Sequence, residues 1–245
     1  RRWLIAHDDA IVSAEQADAF AAACRLRAAG MPVAYVVGSA WFYGREFVVN
    51  ENVLIPRPET EHLIDEALAY LRGRSSQRVL DVGVGSGAIA CTIAAERARA
   101  IVDGVDISAA ALEVARENAR RLGVSDRCRF SASDLLTCIA QRYDVVTANL
   151  PYVPTADVPK VPHPVGFEPA IAVDGGRDGL TYYRGLLPGL AGVLLPGGLV
   201  LMEGAPPVIG GLRDLARAFF PDARVDVGID YGGLQRYVAV QAPGG

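Results

Sequence analysis

Residues 81–88 read Asp81-Val82-Gly83-Val84-Gly85-Ser86-Gly87-Ala88. Residues 79–82 have the composition of a short apolar strand, and residues 88–97 are rich in helix-forming side chains. A glycine-rich turn between a strand and a helix lets a ligand approach the backbone closely, and the first N–H groups of the helix point outward. The segment therefore predicts a nucleotide-type binding loop at residues 83–87.

Acidic residues follow the next two predicted strands. Asp106 ends the strand predicted at residues 101–105, about 20 residues after the glycines, where a carboxylate can accept both hydroxyl groups of a ribose. After the third strand, Asp134 can contact the edge of an adenine and Leu135 can contact its face. A capped turn beginning at Ser133 is the alternative interpretation of this last segment.

The loop by itself is compatible with two cofactors. Its spacing Gly-x-Gly-x-x-Ala fits the dinucleotide pattern of NAD sites, and its equally good spacing Gly-x-Gly-x-Gly favours S-adenosylmethionine. A dehydrogenase also needs a proton-transfer group, but His7, His62 and His163 all lie outside the predicted strand ends. S-adenosylmethionine is therefore the predicted cofactor, and NAD is the alternative.

A candidate acceptor segment follows the apolar strand predicted at residues 144–148, and it reads Asn149-Leu150-Pro151-Tyr152. The side-chain carbonyl of Asn149 and the backbone carbonyl of Leu150 can accept the two N–H bonds of an incoming NH₂ group. Pro151 restricts the backbone, and Tyr152 can lie against a flat amide or base. We predict that these four residues are catalytic, with an Asn-Pro turn and a core tyrosine as the alternative.

The order of the predicted elements indicates a doubly wound α/β fold. From residue 78 onward strands alternate with helices, which indicates parallel strands joined by right-handed crossovers. The further helices are predicted at residues 109–122, 181–192 and 206–219, and the further strands at residues 128–131 and 199–202. Two final strands, residues 223–227 and 236–240, predict an antiparallel hairpin.

The beginning of the chain has a different pattern. Ser13 and Gln16 have capping-box spacing before a helix predicted at residues 17–28. Residues 33–37 and 46–49 have strand composition with glycines between them, so they predict a small hairpin. One more helix is predicted at residues 59–71.

Composition narrows the classes of function. The chain has 245 residues, a net charge of −4 and four scattered cysteines. It lacks the broad positive field that favours nucleic-acid binding, and neither a Cys-x-x-Cys pair nor a histidine cluster predicts a metal site. Because it has no apolar run long enough for a membrane span and no secretory pattern at its start, we expect a soluble cytoplasmic protein.

These motifs resemble those of the HemK/PrmC-type protein-glutamine N5-methyltransferases. Besides the glycine loop and the Asn149 segment, the resemblance rests on residues 32–38, 54–61, 167–169 and 173–180. The string Ile-Pro-Arg-Pro-Glu-Thr-Glu at residues 55–61 is far more specific than the glycine loop. The resemblance thus extends over nearly the whole chain.

The resemblance implies a fold, a reaction and a partner. The fold would be the seven-stranded class I methyltransferase sheet with a reversed last strand, at residues 53–245, preceded by a truncated helical and β-hairpin region at residues 1–52. Residues 83–87, Asp106, Leu135 and Asn149 would hold S-adenosylmethionine, and residues 149–152 would hold a glutamine of a protein substrate. In the best-known members of the family that glutamine belongs to the Gly-Gly-Gln motif of peptide-chain release factors.

Two departures from the family pattern leave alternatives open. The usual acceptor motif is Asn-Pro-Pro-Tyr, and Leu150 replaces its first proline, which keeps the backbone carbonyl but lowers rigidity. The family's N-terminal helical domain, which engages the release factor, is represented by only about one helix and the hairpin. Another amide or amine, a small molecule or an adenine in nucleic acid, is the alternative acceptor, and a non-catalytic nucleotide-binding module is the other alternative.

Overall fold

The computed structural model of the protein describes residues 5–7, 9–75, 77–160, 165–230 and 232–244. The helices are α1 (Ala14–Ala28), α2 (Val33–Val37), α3 (Glu61–Tyr70), α4 (Ala88–Glu96), α5 (Ala109–Arg121), α6 (Thr181–Val193) and α7 (Pro206–Phe219). The strands are β1 (Ser39–Phe42), β2 (Arg45–Val48), β3 (Arg78–Val82), β4 (Ile101–Asp106), β5 (Cys128–Ala132), β6 (Tyr143–Ala148), β7 (Leu194–Glu203), β8 (Arg224–Ile229) and β9 (Gln235–Gln241). None of the described helices is long and apolar enough to cross a membrane.

Seven strands form one sheet in the order β5-β4-β3-β6-β7-β9-β8. The strands from β3 to β7 pair in parallel, whereas β9 is antiparallel to both β7 and β8. All six residues of β6 are buried, because helices cover both faces of the sheet around it. The predicted doubly wound sheet with a reversed last strand and a terminal hairpin is confirmed.

The sheet order places a crevice between the ends of β3 and β6. The chain moves from β3 outward to β4 and β5, and then returns to the other side of β3 at β6. The last residues of the two strands, Val82 and Ala148, are paired, so both strands end at the same level. The loops that follow therefore separate at a topological switch point, which is where open α/β sheets bind ligands.

One predicted element has a different secondary structure. Residues 33–37 form helix α2 and not a strand, and β1 begins only at Ser39. Pro32 at the N-cap has φ −55°, and Gly38 ends the helix in the left-handed region with φ +75°. These two end signals, together with a hydrogen bond of 2.6 Å from the Tyr35 hydroxyl to the Val53 carbonyl, override the strand propensity of the valines.

The N-terminal hairpin packs against the α/β sheet. Phe42 and Phe47 are buried in the same hydrophobic cluster as α3 and α4. The fully buried Asn118 on α5 binds both the N–H and the carbonyl of Val48, at 2.7 and 3.0 Å, and also the carbonyl of Ser86 at 2.8 Å.

The predicted capping box of Ser13 and Gln16 is confirmed, and α1 buries none of its residues. The domain boundary at residue 52 stays a prediction.

Candidate active site

A cleft at the switch point is lined by almost all of the predicted cofactor residues. Among its lining residues are Gly83, Val84, Gly85, Ser86, Asp106, Asp134, Leu135 and Asn149. Of the predicted set, Gly87 is not part of the lining. A side chain at Gly87, where φ is +79°, would lie 3.2 Å from the α-carbon of Ala115, so this glycine allows α4 to pack closely against α5.

The glycine loop is fixed by hydrogen bonds to the neighbouring strand. The N–H groups of Gly83 and Val84 donate to the carbonyl of Val105, at 2.8 and 2.9 Å. The N–H of Gly85 donates to Asp106 Oδ2 at 2.9 Å. These three N–H groups are therefore engaged within the protein and hold the shape of the loop. At these positions a ligand can come close to the backbone, but the three N–H groups are not available to bind it. Beside the α-carbon of Gly85 the space is open, because a side chain there would meet nothing closer than 4.0 Å.

Asp106 is held in place by the backbone on both sides. Its Oδ1 accepts the N–H of Ser108 at 2.9 Å, and its Oδ2 accepts the N–H of Gly85. Each carboxylate oxygen has capacity for a second donor, so a pair of ribose hydroxyls can still bind. The next residue, Ile107, is 59% exposed and also lines the cleft, so it offers an apolar surface beside the acid.

The turn after β5 is capped by Ser133 and lines the cleft as well. The Ser133 hydroxyl accepts the N–H of Cys138 at 3.2 Å, and Leu135 has φ +49°. The two interpretations of this segment are thus compatible, because a capped turn brings Asp134 and Leu135 to the cleft. An acid for ribose hydroxyls and apolar surfaces for an adenine, together with an open glycine loop, fit S-adenosylmethionine.

A second pocket adjoins the cleft, and most of the acceptor segment lines both of them. Both cavities are lined by Leu54, Asn149, Leu150, Pro151 and Ala172. Tyr152 lines only the second pocket. The four predicted catalytic residues are therefore brought together at the boundary between two cavities.

The side chain of Asn149 has a defined orientation. Its Nδ2 donates to Thr60 Oγ1 at 3.2 Å, which leaves the side-chain carbonyl oxygen available to another donor. The backbone N–H of Leu150 donates to the hydroxyl of Tyr183 at 3.3 Å. A side chain on Gly83 would come within 2.8 Å of Leu150 Cδ2, so the leucine that departs from the family motif packs directly on the glycine loop.

Glu203, at the end of β7, lies behind the acceptor segment and was not predicted as a site residue. Its side chain is only 2% exposed, and Oε1 accepts the Tyr152 hydroxyl at 3.2 Å. Burial raises the pKa of Glu203 to about 7, and the hydroxyls of Thr60 and Tyr152 oppose this effect. The sequence contains one signal for this residue, since an acid at the carboxyl end of a buried strand also marks Asp106.

A second buried acid lies at the end of β3. Asp81 is 1% exposed, and its Oδ1 accepts the hydroxyl of Thr147 at 2.8 Å. Burial raises the pKa of Asp81 to about 7, and the hydrogen bond from Thr147 opposes this effect. Asp81 is not among the residues that line the cleft.

The segment at residues 54–61 runs across both cavities. Leu54 lines both of them, Thr60 lines the cleft and Arg57 lines the second pocket. Arg57 forms an ion pair of 2.5 Å with Glu168, whose other oxygen accepts the N–H of Ile55 at 2.9 Å. Arg57, Thr60 and Glu168 belong to the family motifs at residues 54–61 and 167–169, but no pattern in the sequence predicts a role for them.

The glycine-rich segment at residues 173–180 supports the acceptor segment from the other side. A side chain on Gly175 would lie 2.7 Å from the carbonyl oxygen of Pro151, and one on Gly179 would lie 2.3 Å from that of Tyr152. The N–H of Gly175 donates to the Val153 carbonyl at 2.8 Å. Backbone packs on backbone here, which explains why the family motif is rich in glycine.

The histidines are not part of the described site. His7 and His62 are absent from the lining of the cleft and of the second pocket. His163 lies outside the described residues.

Comparisons with known proteins agree with this geometry. The family model "PrmC N-terminal domain" matches residues 1–38, and the model "Methyltransferase small domain" matches residues 62–161. A release factor glutamine methyltransferase of Moorella thermoacetica is 44% identical, over 86% of this chain and 75% of that protein. One from Bordetella pertussis is 42% identical, over 83% of this chain and 75% of its own length.

Solved structures share the fold. A methyltransferase from Pyrococcus furiosus superposes with a TM-score of 0.62 at 17% identity, over 82% of this chain and 91% of that one.

Proposed function

Since the chain belongs to the release factor glutamine methyltransferase family, we propose that it methylates the side-chain amide nitrogen of a glutamine in a peptide-chain release factor. The chain is a protein-glutamine N-methyltransferase that depends on S-adenosylmethionine. When bound, this cofactor supplies an electrophilic methyl group on a sulfonium. Everything else in the reaction depends on how the protein holds the two reactants.

One observation carries the proposal: Asn149 and Leu150 line both the cleft and the second pocket, so they lie where the two cavities adjoin. A cofactor in the cleft and a glutamine in the second pocket would meet beside these two residues. An amide nitrogen is a weak nucleophile, so alignment of the two reactants is the main contribution expected from the protein, on the order of 7 kcal/mol at best.

The acceptor segment would align the nitrogen with two carbonyl groups. Because Asn149 Nδ2 is engaged with Thr60, its Oδ1 would accept one N–H of the glutamine amide. The backbone carbonyl of Leu150 would accept the other N–H, and Pro151 next to it has no N–H that could compete. Tyr152, held by Glu203, would bound the pocket beside the amide plane.

We propose that the predicted cofactor residues keep their roles with one change. Asp106 would accept the ribose hydroxyls, and Asp134 and Leu135 would contact the adenine, joined by Ile107. Gly83 to Ser86 would lie along the methionine portion. Gly87 would act through helix packing, not through cofactor contact.

A release factor with an exposed glutamine is the proposed partner, and nucleic acid is not. The net charge of −4 and the mixed charges of the second pocket, which include Arg57, Asp157, Lys160 and Glu168, favour a protein loop over a polyanion. Peptide release takes place on cytoplasmic ribosomes, so the proposed substrate carries with it a cytoplasmic location.

The test is transfer of a labelled methyl group from S-adenosylmethionine to a purified release factor. We expect the label on a single glutamine, and we expect no transfer after that glutamine is replaced by glutamate, which has no NH₂ group. Preferred transfer to DNA, RNA or a small amide would contradict the proposal.

A further inference from the structure

The hydroxyl of Tyr183, a fully buried residue of α6, binds the backbone of the acceptor segment. It accepts the N–H of Leu150 at 3.3 Å and donates to the backbone carbonyl of Glu203 at 2.5 Å. A hydroxyl has one proton, and the Ala148 carbonyl is farther away at 3.5 Å, so the proton goes to Glu203. The lone pairs of the oxygen are then left for the Leu150 N–H.

This bond satisfies a backbone donor inside the protein. Leu150 is 5% exposed, and its bond to Tyr183 is buried. A buried N–H without an acceptor destabilises the conformation that contains it. The peptide between Asn149 and Leu150 is therefore held in the orientation that points its N–H at the tyrosine.

Two further contacts fix the rest of the Leu150 backbone. The dihedral angle φ is the rotation about the N–Cα bond, so it is set once the preceding peptide plane and the side chain are both held. The side chain is held against the glycine loop, because a Cβ on Gly83 would lie 2.8 Å from Leu150 Cδ2. Pro151 restricts the conformation of the residue before it. The carbonyl of Leu150 consequently keeps one direction.

We propose that Tyr183 is a positioning residue, and that its hydroxyl holds Leu150 so that the Leu150 carbonyl faces the glutamine nitrogen. A proline at position 150 would have no N–H and would fix φ through its ring, whereas the leucine of this chain needs the hydrogen bond. Tyr183 lines neither the cleft nor the second pocket, so it acts through Leu150. The inference rests on the proposed function, because it concerns the carbonyl of the same acceptor site.

A double-mutant cycle with the purified release factor as substrate tests this role. Tyr183→Phe removes only the hydroxyl, and we expect kcat to fall at least tenfold while the dissociation constant of S-adenosylmethionine stays within about threefold. In the Leu150→Pro background, where the N–H is gone, Tyr183→Phe should change kcat less than about threefold. Equal losses in the two backgrounds would mean that the hydroxyl does not act through Leu150, and would overturn the inference. Wild-type kcat in Tyr183→Phe would overturn it too.

Tyr143→Phe is the matched control for the loss of a buried tyrosine hydroxyl. Tyr143 is 2% exposed, begins β6 at the end away from the acceptor segment, and donates its hydroxyl to Asp103 at 2.9 Å. We expect its substitution to leave kcat unchanged. A similar fall of kcat in Tyr143→Phe and Tyr183→Phe would assign the effect to a general loss of stability and would contradict the positioning role.

Hydrogen exchange of the Leu150 amide measures the proposed bond without any substrate. The amide should be protected in the wild type and in Tyr143→Phe, and should exchange at least tenfold faster in Tyr183→Phe. Equal exchange in the three proteins would overturn the inference. So would exchange in the wild type at the rate of an exposed amide, and this measurement decides the result if a variant does not fold or is inactive in the Leu150→Pro background.

The two kinds of readout separate this inference from the proposed function. If the wild type transfers no methyl group to the release factor, the proposed function is wrong, and amide exchange still shows whether Tyr183 holds Leu150. If the wild type is active and Tyr183→Phe keeps its kcat, only the positioning role is wrong.

Discussion

At the scale of single residues, the Asp106 carboxylate has a structural contact and a proposed cofactor contact, and one substitution removes both. Its carboxylate holds the glycine loop through Gly85 and is available for the cofactor ribose. We expect Asp106→Ala to weaken S-adenosylmethionine binding by roughly 1.5 to 3 kcal/mol, the range for a lost charged hydrogen bond. Isothermal titration calorimetry measures this loss.

Asp103, on the same strand, provides the control. It accepts the hydroxyl of Tyr143 at 2.9 Å and does not line the cleft, so Asp103→Ala should leave cofactor affinity unchanged. Tight NAD binding, or equal affinity in the Asp106 and Asp103 variants, would be incompatible with the proposed ribose contact.

Substitution of Asn149 tests the alignment of the glutamine nitrogen separately from cofactor binding. Asn149→Ala removes the proposed acceptor of one glutamine N–H, so turnover with a saturating release factor should fall at least a hundredfold. Cofactor affinity should change much less, because the loop and Asp106 make up most of that part of the cleft. Near-normal turnover would mean that Asn149 is only a turn residue.

The sequence could predict these residues because each one follows a strand directly. Asp106 and Asn149 stand at strand ends, where a local pattern and one rule about open sheets are sufficient. Glu203 also ends a strand, but its local pattern does not connect it with Tyr152, and Thr60 does not follow a strand. Their contacts join residues that are 89 positions apart, for Asn149 and Thr60, and 51 apart, for Tyr152 and Glu203, and only the tertiary structure brings them together.

At the scale of elements, the glycine-rich segment at residues 173–180 allows a matched test. Gly179→Ala puts a methyl group where φ is +76° and where the Tyr152 carbonyl oxygen would lie 2.3 Å away. The left-handed backbone costs about 1–2 kcal/mol by itself. The clash must in addition displace the acceptor segment. We expect a free energy of unfolding lowered by more than 2 kcal/mol and kcat lowered at least tenfold.

Gly123→Ala is the control that measures only the cost of placing an alanine in a left-handed backbone conformation. Gly123 has φ +68° after the end of α5, and a side chain there would meet nothing within 4 Å. Chemical denaturation should therefore give a loss of about 1–2 kcal/mol with unchanged kcat. Equal effects of the two substitutions on kcat would show that the segment does not support the acceptor residues.

Most helices and strands of the α/β part were predicted to within two residues, because their patterns are long and their end signals agree with them. The exception is β7, which begins at Leu194, five residues before the predicted start at residue 199. α7 has the predicted bounds, and the Ser108 N-cap of α5 is confirmed by its hydrogen bond to Ala111. Residues 33–37 form a helix despite their strand composition, since five such residues are too few to outweigh a proline and a glycine at their ends. The Tyr35 bond to Val53 could not be known from the sequence.

At the scale of the whole molecule, the alternation of elements predicts a parallel sheet but not its strand order. A hairpin at the end of the chain can join the sheet edge through either of its strands, and in the structure β9 lies between β7 and β8. The order matters for the site. It sets β7 beside β6, so that Glu203 lies behind the segment that follows Ala148.

Two buried acids make the stability of the molecule depend on pH. Asp81 and Glu203 both have a pKa raised to about 7 by burial, above the values of about 4 expected in the unfolded chain. The contribution of such a carboxyl group to the stability of the fold is fully present when the pH is below the pKa of the group in the unfolded chain. It is lost as the pH rises through the pKa of the group in the folded protein. The free energy of unfolding should therefore fall by a few kcal/mol between pH 5 and pH 8.

Denaturant unfolding at a series of pH values measures this loss, and the variants assign it. Asp81→Asn and Glu203→Gln should each flatten part of the curve, and the double variant should flatten most of it. A free energy of unfolding that rises from pH 5 to pH 8 would contradict the prediction.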